Sequence, residues 1–222
     1  AHEGIQALAV AGVGSSALGS AAFARNVADA LNTSVAAVVS GYGLSDLVTE
    51  ALGGWFLFGA LNGLRHLMEG LDASRPLALT ADELDGAART SRDTATLRAL
   101  LNDPALDFRL VTGHSKGNLV IAEALYEIGK DAPERLAVLG ETMDIVTVSA
   151  IIQMPSACRN VVDVIGSIDN FGAMNSRLGI PPDLVSAGAW HHTNTQLPFH
   201  LPVADVFRRL DGEGRIPGLR RT

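Results

Sequence analysis

Apolar residues along this chain gather in short runs that alternate with helical patterns. Residues 5–13 form one such run ending in glycines, followed by a small-residue loop over 14–20 and a helical pattern over 21–31. The next run, 34–39, is β-branched and closed by Gly41-Tyr42-Gly43, which predicts a second strand buried on both faces. Strands of that kind belong to parallel sheets, whose crossover helices cover both sides. Residues 44–72 are helical in pattern and unusually apolar, Arg75-Pro76 breaks the pattern, and Thr80-Ala81-Asp82-Glu83 predicts a helix cap with carboxylates in the first turn. A further helix is expected over 91–101, with Leu97, Leu100 and Leu101 on one face. Then follow a strand at 108–112, a turn at 113–117 and a helix over 118–128. Strands at 145–152, 161–166 and 184–189 and a helix over 203–210 complete the order, and the Arg-rich end over 208–221 is expected to be a solvated tail. Alternation of strands with helices predicts an α/β fold with a mainly parallel sheet flanked by helices.

The length of 222 residues suits one good-sized core, so a single domain over 1–222 is expected, with a helical insertion over 44–88 inside it. A formal charge of −7 without a long run of either sign argues against nucleic acid as a partner. Cys158 is the only cysteine, so no intrachain disulfide can form, and a small buried side chain is the role expected of it. The first residues lack an initiator Met and the layout of a signal peptide, which points to a processed or replaced N-terminus and leaves localisation open, with the cytoplasm favoured. The apolar run 51–64 is too short to span a membrane, though it could lie against lipid.

The chemistry is concentrated at Gly113-His114-Ser115-Lys116-Gly117, a G-x-S-x-G pattern with a strand before it and a helix after it. A serine at the apex of so tight a turn sits in strained backbone, and the glycines make room for the adjoining strand and helix. The bland alternative is a strand-to-helix turn with a capping serine. Downstream, Asp169 stands three residues past the glycine that closes the 161–166 strand, and His191 follows the 184–189 run.

With these residues in place, the chain resembles the α/β-hydrolase superfamily, specifically its lipase and esterase branch, over roughly 5–210. The resemblance implies a serine hydrolase acting without metal or cofactor on a small-molecule or lipid ester. It makes Ser115 the nucleophile, His191 the base and Asp169 the acid. The backbone N–H groups of Lys116 and Val13 would form the oxyanion hole, with the Lys116 side chain facing solvent. Asp163 remains an alternative acid, and His192 and His200 remain alternative bases. The resemblance also places the 44–88 insertion where hydrolases carry a cap or lid, so it is expected to roof an apolar acyl pocket; ordinary core packing is the competing explanation.

Two other functions compete. Gly12-x-Gly14-x-x-Ala17 fits a form of the dinucleotide-binding loop, and Ser115, Tyr126 and Lys130 mimic the set used by short-chain dehydrogenases. Against this, the second strand ends without the acidic residue that holds the ribose, and the helical pattern opens only at residue 21. The remaining possibility is a hydrolase-type fold that serves as a non-catalytic interaction module. No metal-ligand spacing is visible.

Overall fold

A computed structural model describes residues 4–12, 15–40, 81–177 and 179–220, with only the backbone described over 81–91. Most of the 44–88 segment, the apolar run 51–64 and Val13 lie outside the described residues.

The chain forms an α/β structure. In order, the elements are β1 (Ala7–Val10), α1 (Ala17–Leu31), β2 (Val35–Val38), α2 (Ala81–Asn102), β3 (Leu110–His114), α3 (Lys116–Asp131) and α4 (Pro133–Thr142). They continue with β4 (Asp144–Val148), β5 (Val161–Gly166), α5 (Asn170–Met174), β6 (Leu184–Ser186), α6 (Val203–Gly212) and a 3₁₀ turn over Pro217–Arg220. The described strands make one parallel sheet in the order β2-β1-β3-β4-β5-β6.

Side-chain alternation along the strands divides the core into two layers. Leu8, Val10 and Val111 face α2, α3 and α4, packing with Leu97, Leu101, Ile121, Leu125 and Ile128. Ala7, Ala9, Leu110 and Val146 face the other way, onto Phe23 and Val27 of α1 and Phe207 and Leu210 of α6. With both faces covered, the strands can be buried throughout, as β1 and β4 are. No helix among the described residues is long and apolar enough to cross a membrane.

Several boundaries differ from the sequence reading. Helix α1 starts at Ala17, four residues early, because the Ser16 side chain accepts from the Gly19 N–H and caps it. The late helix start that spoke against a dinucleotide loop is therefore not observed. Residues 133–142 form a helix beyond those expected from the sequence, opened by Pro133 in its first turn, with Leu136 and Leu139 buried. Strand β4 ends at Val148 rather than continuing to 152, because Ser149 takes a positive φ of 61°. The end of the chain is anchored rather than solvated: Ile216 is buried and the Gly218 N–H donates to Asp144 Oδ2 at 2.6 Å. Cys158 is half-buried against the first core layer, where burial pushes its thiol up to about 11 and leaves it protonated at neutral pH.

The sheet order positions the site. The chain moves from β1 outward to β2, then returns to the other side of β1 with β3, so the order reverses between β1 and β3. Open parallel sheets bind ligands outside the carboxyl ends of their strands at such a reversal. Gly12 follows β1 and Ser115 follows β3, one on each side of it.

Candidate active site

Strand β3 runs into α3 with a single residue between them, and that residue is Ser115. Its backbone, at φ 53° and ψ −118°, lies outside the regions that non-glycine residues ordinarily occupy. The neighbours hold it there. Its N–H donates to the Val148 carbonyl at 2.8 Å, and the buried Asn118 side chain donates from Nδ2 to the Val148 and Ala150 carbonyls at 3.0 and 2.9 Å. The start of α3 is thereby tied to the end of β4. Ser115 makes no side-chain capping bond to the helix, so its hydroxyl is not spent as the capping alternative requires.

The glycines around it are sterically necessary. A Cβ on Gly117 would overlap the Val10 carbonyl oxygen and stand 2.9 Å from that of Ala11, both backbone atoms of β1 and its exit. On Gly113 it would meet the Asn118 backbone N at 2.7 Å. Gly117→Ala is therefore expected to lower stability by ~3 kcal/mol, since helix and strand would both have to yield. Urea unfolding measures this; a loss under ~0.5 kcal/mol would mean that α3 moves aside freely.

His191 Nε2 stands 3.0 Å from Ser115 Oγ, and His191 Nδ1 stands 3.0 and 3.1 Å from the two oxygens of Asp169. A carboxylate only accepts, so Nδ1 carries the proton and donates to Asp169, leaving the Nε2 lone pair to accept from the Ser115 hydroxyl. The three residues form a directed relay. The Asp169 side chain is fully buried and that of His191 is 17% exposed. Burial disfavours the charged Asp169, but hydrogen bonds from His191, the charge on that ring, the Gly172 N–H and the Ser149 hydroxyl outweigh it and hold the carboxyl below the usual range. The same carboxylate caps α5, accepting from the Gly172 N–H at 2.6 Å.

The alternative partners are engaged elsewhere. Asp163 lies within β5 opposite Thr147, whose hydroxyl donates to it, and burial raises its pKa. His192 Nε2 donates to the Pro198 carbonyl and His200 Nδ1 to that of Leu197, both within the loop's own backbone. The loop beginning at Trp190 is closed by Trp190 N–H to the Phe199 carbonyl at 2.7 Å and Leu201 N–H to that of His192 at 2.8 Å. Of the dehydrogenase set, Tyr126 lies late in α3, donates to the Met154 carbonyl at 3.4 Å, and has its phenol pushed up by burial. The space above Gly12 is taken by His114, whose Nδ1 would be 2.9 Å from an added Cβ.

Lys116 begins α3, so its backbone N–H lies in the first turn of the helix, beside Ser115 and at the positive end of the helix dipole. Its side chain is buried, 5% exposed, and not solvent-facing as expected. Val13, the other expected donor, lies outside the described residues. No cluster of three or more His, Cys, Asp or Glu that could hold a metal occurs among the described residues.

His114, Ser149 and Asn118 were not singled out from sequence, yet all three pack around the relay. His114 Nε2 donates to the His191 carbonyl at 2.7 Å, and burial, followed by the nearby His191, holds its pKa down to about 4. Its folded-state pKa lies below the unfolded value of 6.5, so the unfolded chain takes up the proton first as pH falls. Stability is present above pH 6.5 and is lost between 6.5 and 4, by at most about 3 kcal/mol. Urea melts across that range measure the loss, and His114→Gln is expected to flatten the slope; equal slopes would assign the loss to other groups.

Comparison of the chain with protein-family models, with curated proteins and with solved structures returned no significant match, so the functional reading rests on the geometry of the site itself.

Proposed function

We propose that this protein is a serine hydrolase of the α/β-hydrolase type, close to the lipase and esterase branch, that cleaves acyl esters through an acyl-enzyme on Ser115. The observation that carries the proposal is the unbroken relay from Ser115 Oγ through His191 to Asp169, with both links at 3.0 Å, fed by a serine in strained backbone. A serine hydroxyl is a weak nucleophile unless a base takes its proton during attack, and a histidine oriented by a buried carboxylate is the arrangement that supplies one.

In the first half-reaction Ser115 Oγ bonds to the ester carbonyl carbon while its proton passes to His191 Nε2. Asp169 stabilises the imidazolium that results. The carbonyl π electrons move to oxygen, where the Lys116 N–H and, as expected from sequence, that of Val13 receive the charge together with the positive end of α3. Collapse expels the alkoxide, which takes the proton from His191 and leaves as alcohol. A water then repeats the sequence against the acyl-enzyme, releasing a carboxylic acid and restoring the Ser115 hydroxyl.

The expected substrates are small-molecule or lipid esters with apolar acyl chains. That preference derives from the apolar 44–88 segment, expected to roof the acyl pocket as a lid and, over 51–64, to contact lipid. The test is a fluorophosphonate probe followed by peptide mapping, together with an ester series from acetate upward. Labelling at Ser115 and rising kcat/KM with chain length are expected. An unlabelled Ser115 in folded protein would overturn the hydrolase reading, and a decline from acetate upward would overturn the acyl preference.

A further inference from the structure

The base of the relay sits on a loop without regular structure, and its ring must keep two nitrogens aligned at once. The backbone of that loop offers one handle at the site, the carbonyl of His191. It accepts from His114 Nε2 at 2.7 Å, and the Ser149 hydroxyl stands 3.4 Å from it. A carbonyl oxygen only accepts, so the His114 Nε2 bears hydrogen whichever charge the ring carries. Ser149 is fully buried, at the end of β4, in the left-handed region with φ 61°, and its one hydroxyl hydrogen is shared between the His191 carbonyl and the Asp169 carboxylate. A serine held in that conformation at a strand end is a strained arrangement, which persists only where surrounding contacts impose it.

The imidazole of His191 is held from the sides as well. The His114 ring lies 5.2 Å from it, centroid to centroid, and Phe171 meets it edge-on at 4.7 Å. Gly12 makes room for His114, since a Cβ there would stand 2.8 Å from its carbonyl oxygen and 2.9 Å from its Nδ1. His114 is also the residue before Ser115, so one side chain links the backbone of the base to the strand that carries the nucleophile.

Resting on the hydrolase reading, we propose that the His191 carbonyl is the anchor of the relay, and that His114 and Ser149 are positioning residues that fix the base relative to Ser115 by holding it. Neither residue touches the reacting atoms. His114 acts through His191, and Ser149 through His191 and Asp169 together, so the loss of either lowers kcat while leaving KM nearly unchanged, because misplacing a base by an ångström costs up to ~10²-fold. The neutral state of His114 fits this role, since no second positive charge then opposes the imidazolium that forms beside it.

Glutamine and asparagine separate the two ring nitrogens of His114. A glutamine amide can donate from near the Nε2 position and an asparagine amide only from near Nδ1. The expected result is a kcat loss of about 30-fold in His114→Asn with KM within about twofold, and recovery to within about threefold of the parent in His114→Gln. Ser149→Ala, which removes a single atom, is expected to lose about fivefold in kcat alone and serves should His114→Asn fail to fold.

Nitrogen NMR of histidine-labelled protein supplies a readout that needs no turnover. His191 is expected to be wholly the Nδ1–H tautomer in the parent and mixed in His114→Asn. Equal behaviour of Asn and Gln, or an unchanged tautomer with kcat within twofold in both His114→Asn and Ser149→Ala, would overturn the anchor. A parent protein that neither turns over esters nor takes the fluorophosphonate would instead overturn the hydrolase reading, with the tautomer comparison still deciding the anchor.

Discussion

Ser115→Ala is expected to abolish esterase turnover, lowering kcat by about 10⁶-fold while leaving KM and the unfolding midpoint nearly unchanged. The size follows from what the hydroxyl does in the proposed reaction: without it no acyl-enzyme forms, and His191 and Asp169 are left with no nucleophile to activate. Residual hydrolysis would come from substrate binding and the oxyanion donors alone, typically about 10³-fold above water. The fold is expected to tolerate the change because Ser115 is held by its backbone N–H to Val148 and makes no capping bond. A steady-state assay with an apolar chromogenic ester reads the effect. More than about a tenth of parental activity would show that the reaction does not pass through this serine.

Asp169→Asn is expected to lower kcat by about 10⁴-fold, through the tautomer of its neighbour. The carboxylate requires a proton on His191 Nδ1, at 3.0 Å, and so keeps Nε2 free to accept from Ser115. An asparagine amide can turn its NH₂ toward Nδ1, which then must accept, and the proton moves to Nε2, where it faces the serine. The base is lost without any change of shape. Asparagine can still cap α5 by accepting from the Gly172 N–H, so the variant separates chemistry from folding. Measurement of kcat beside the unfolding midpoint checks this, and a loss below tenfold would assign Asp169 to the structure of α5 alone.

The residues of the relay were legible in the sequence because each sits next to a local signal. Ser115 lies between two glycines at a strand-to-helix junction, Asp169 just past the glycine ending β5, and His191 just past the last apolar run. The choice of His191 over His192 and His200 was less accessible, since it depends on which ring turns inward, and the other two are held by carbonyls of their own loop. What escaped notice depends on distant backbone. His114 is the variable position of its motif, and its partner is a carbonyl 77 residues away, which no spacing reveals. Ser149 interrupts an apolar run that continues through Ile152, so the pattern gives no hint of its positive φ. Lys116 was expected in solvent because lysine usually is, but it is buried. Helix α4 does carry a local signal, Pro133 and Glu134 ahead of Leu136 and Leu139.

The parallel order of β3, β4, β5 and β6 carries a kinetic consequence. Ser115, Ser149, Asp169 and His191 are drawn from four successive strand ends, and Ser115 and His191 stand 76 residues apart in the sequence. Pairing of this kind is non-local, and loop-closure entropy must be met before such contacts form. The glycine turn at Ser115 needs β1 and β4 beside β3 and α3, and His191 follows the three-residue β6, which pairs with β5 at the end of the sheet. A refolding chain is therefore expected to regain its helices before the proposed chemistry, with a lag between far-ultraviolet ellipticity and ester turnover set by the time this short final strand takes to find its register.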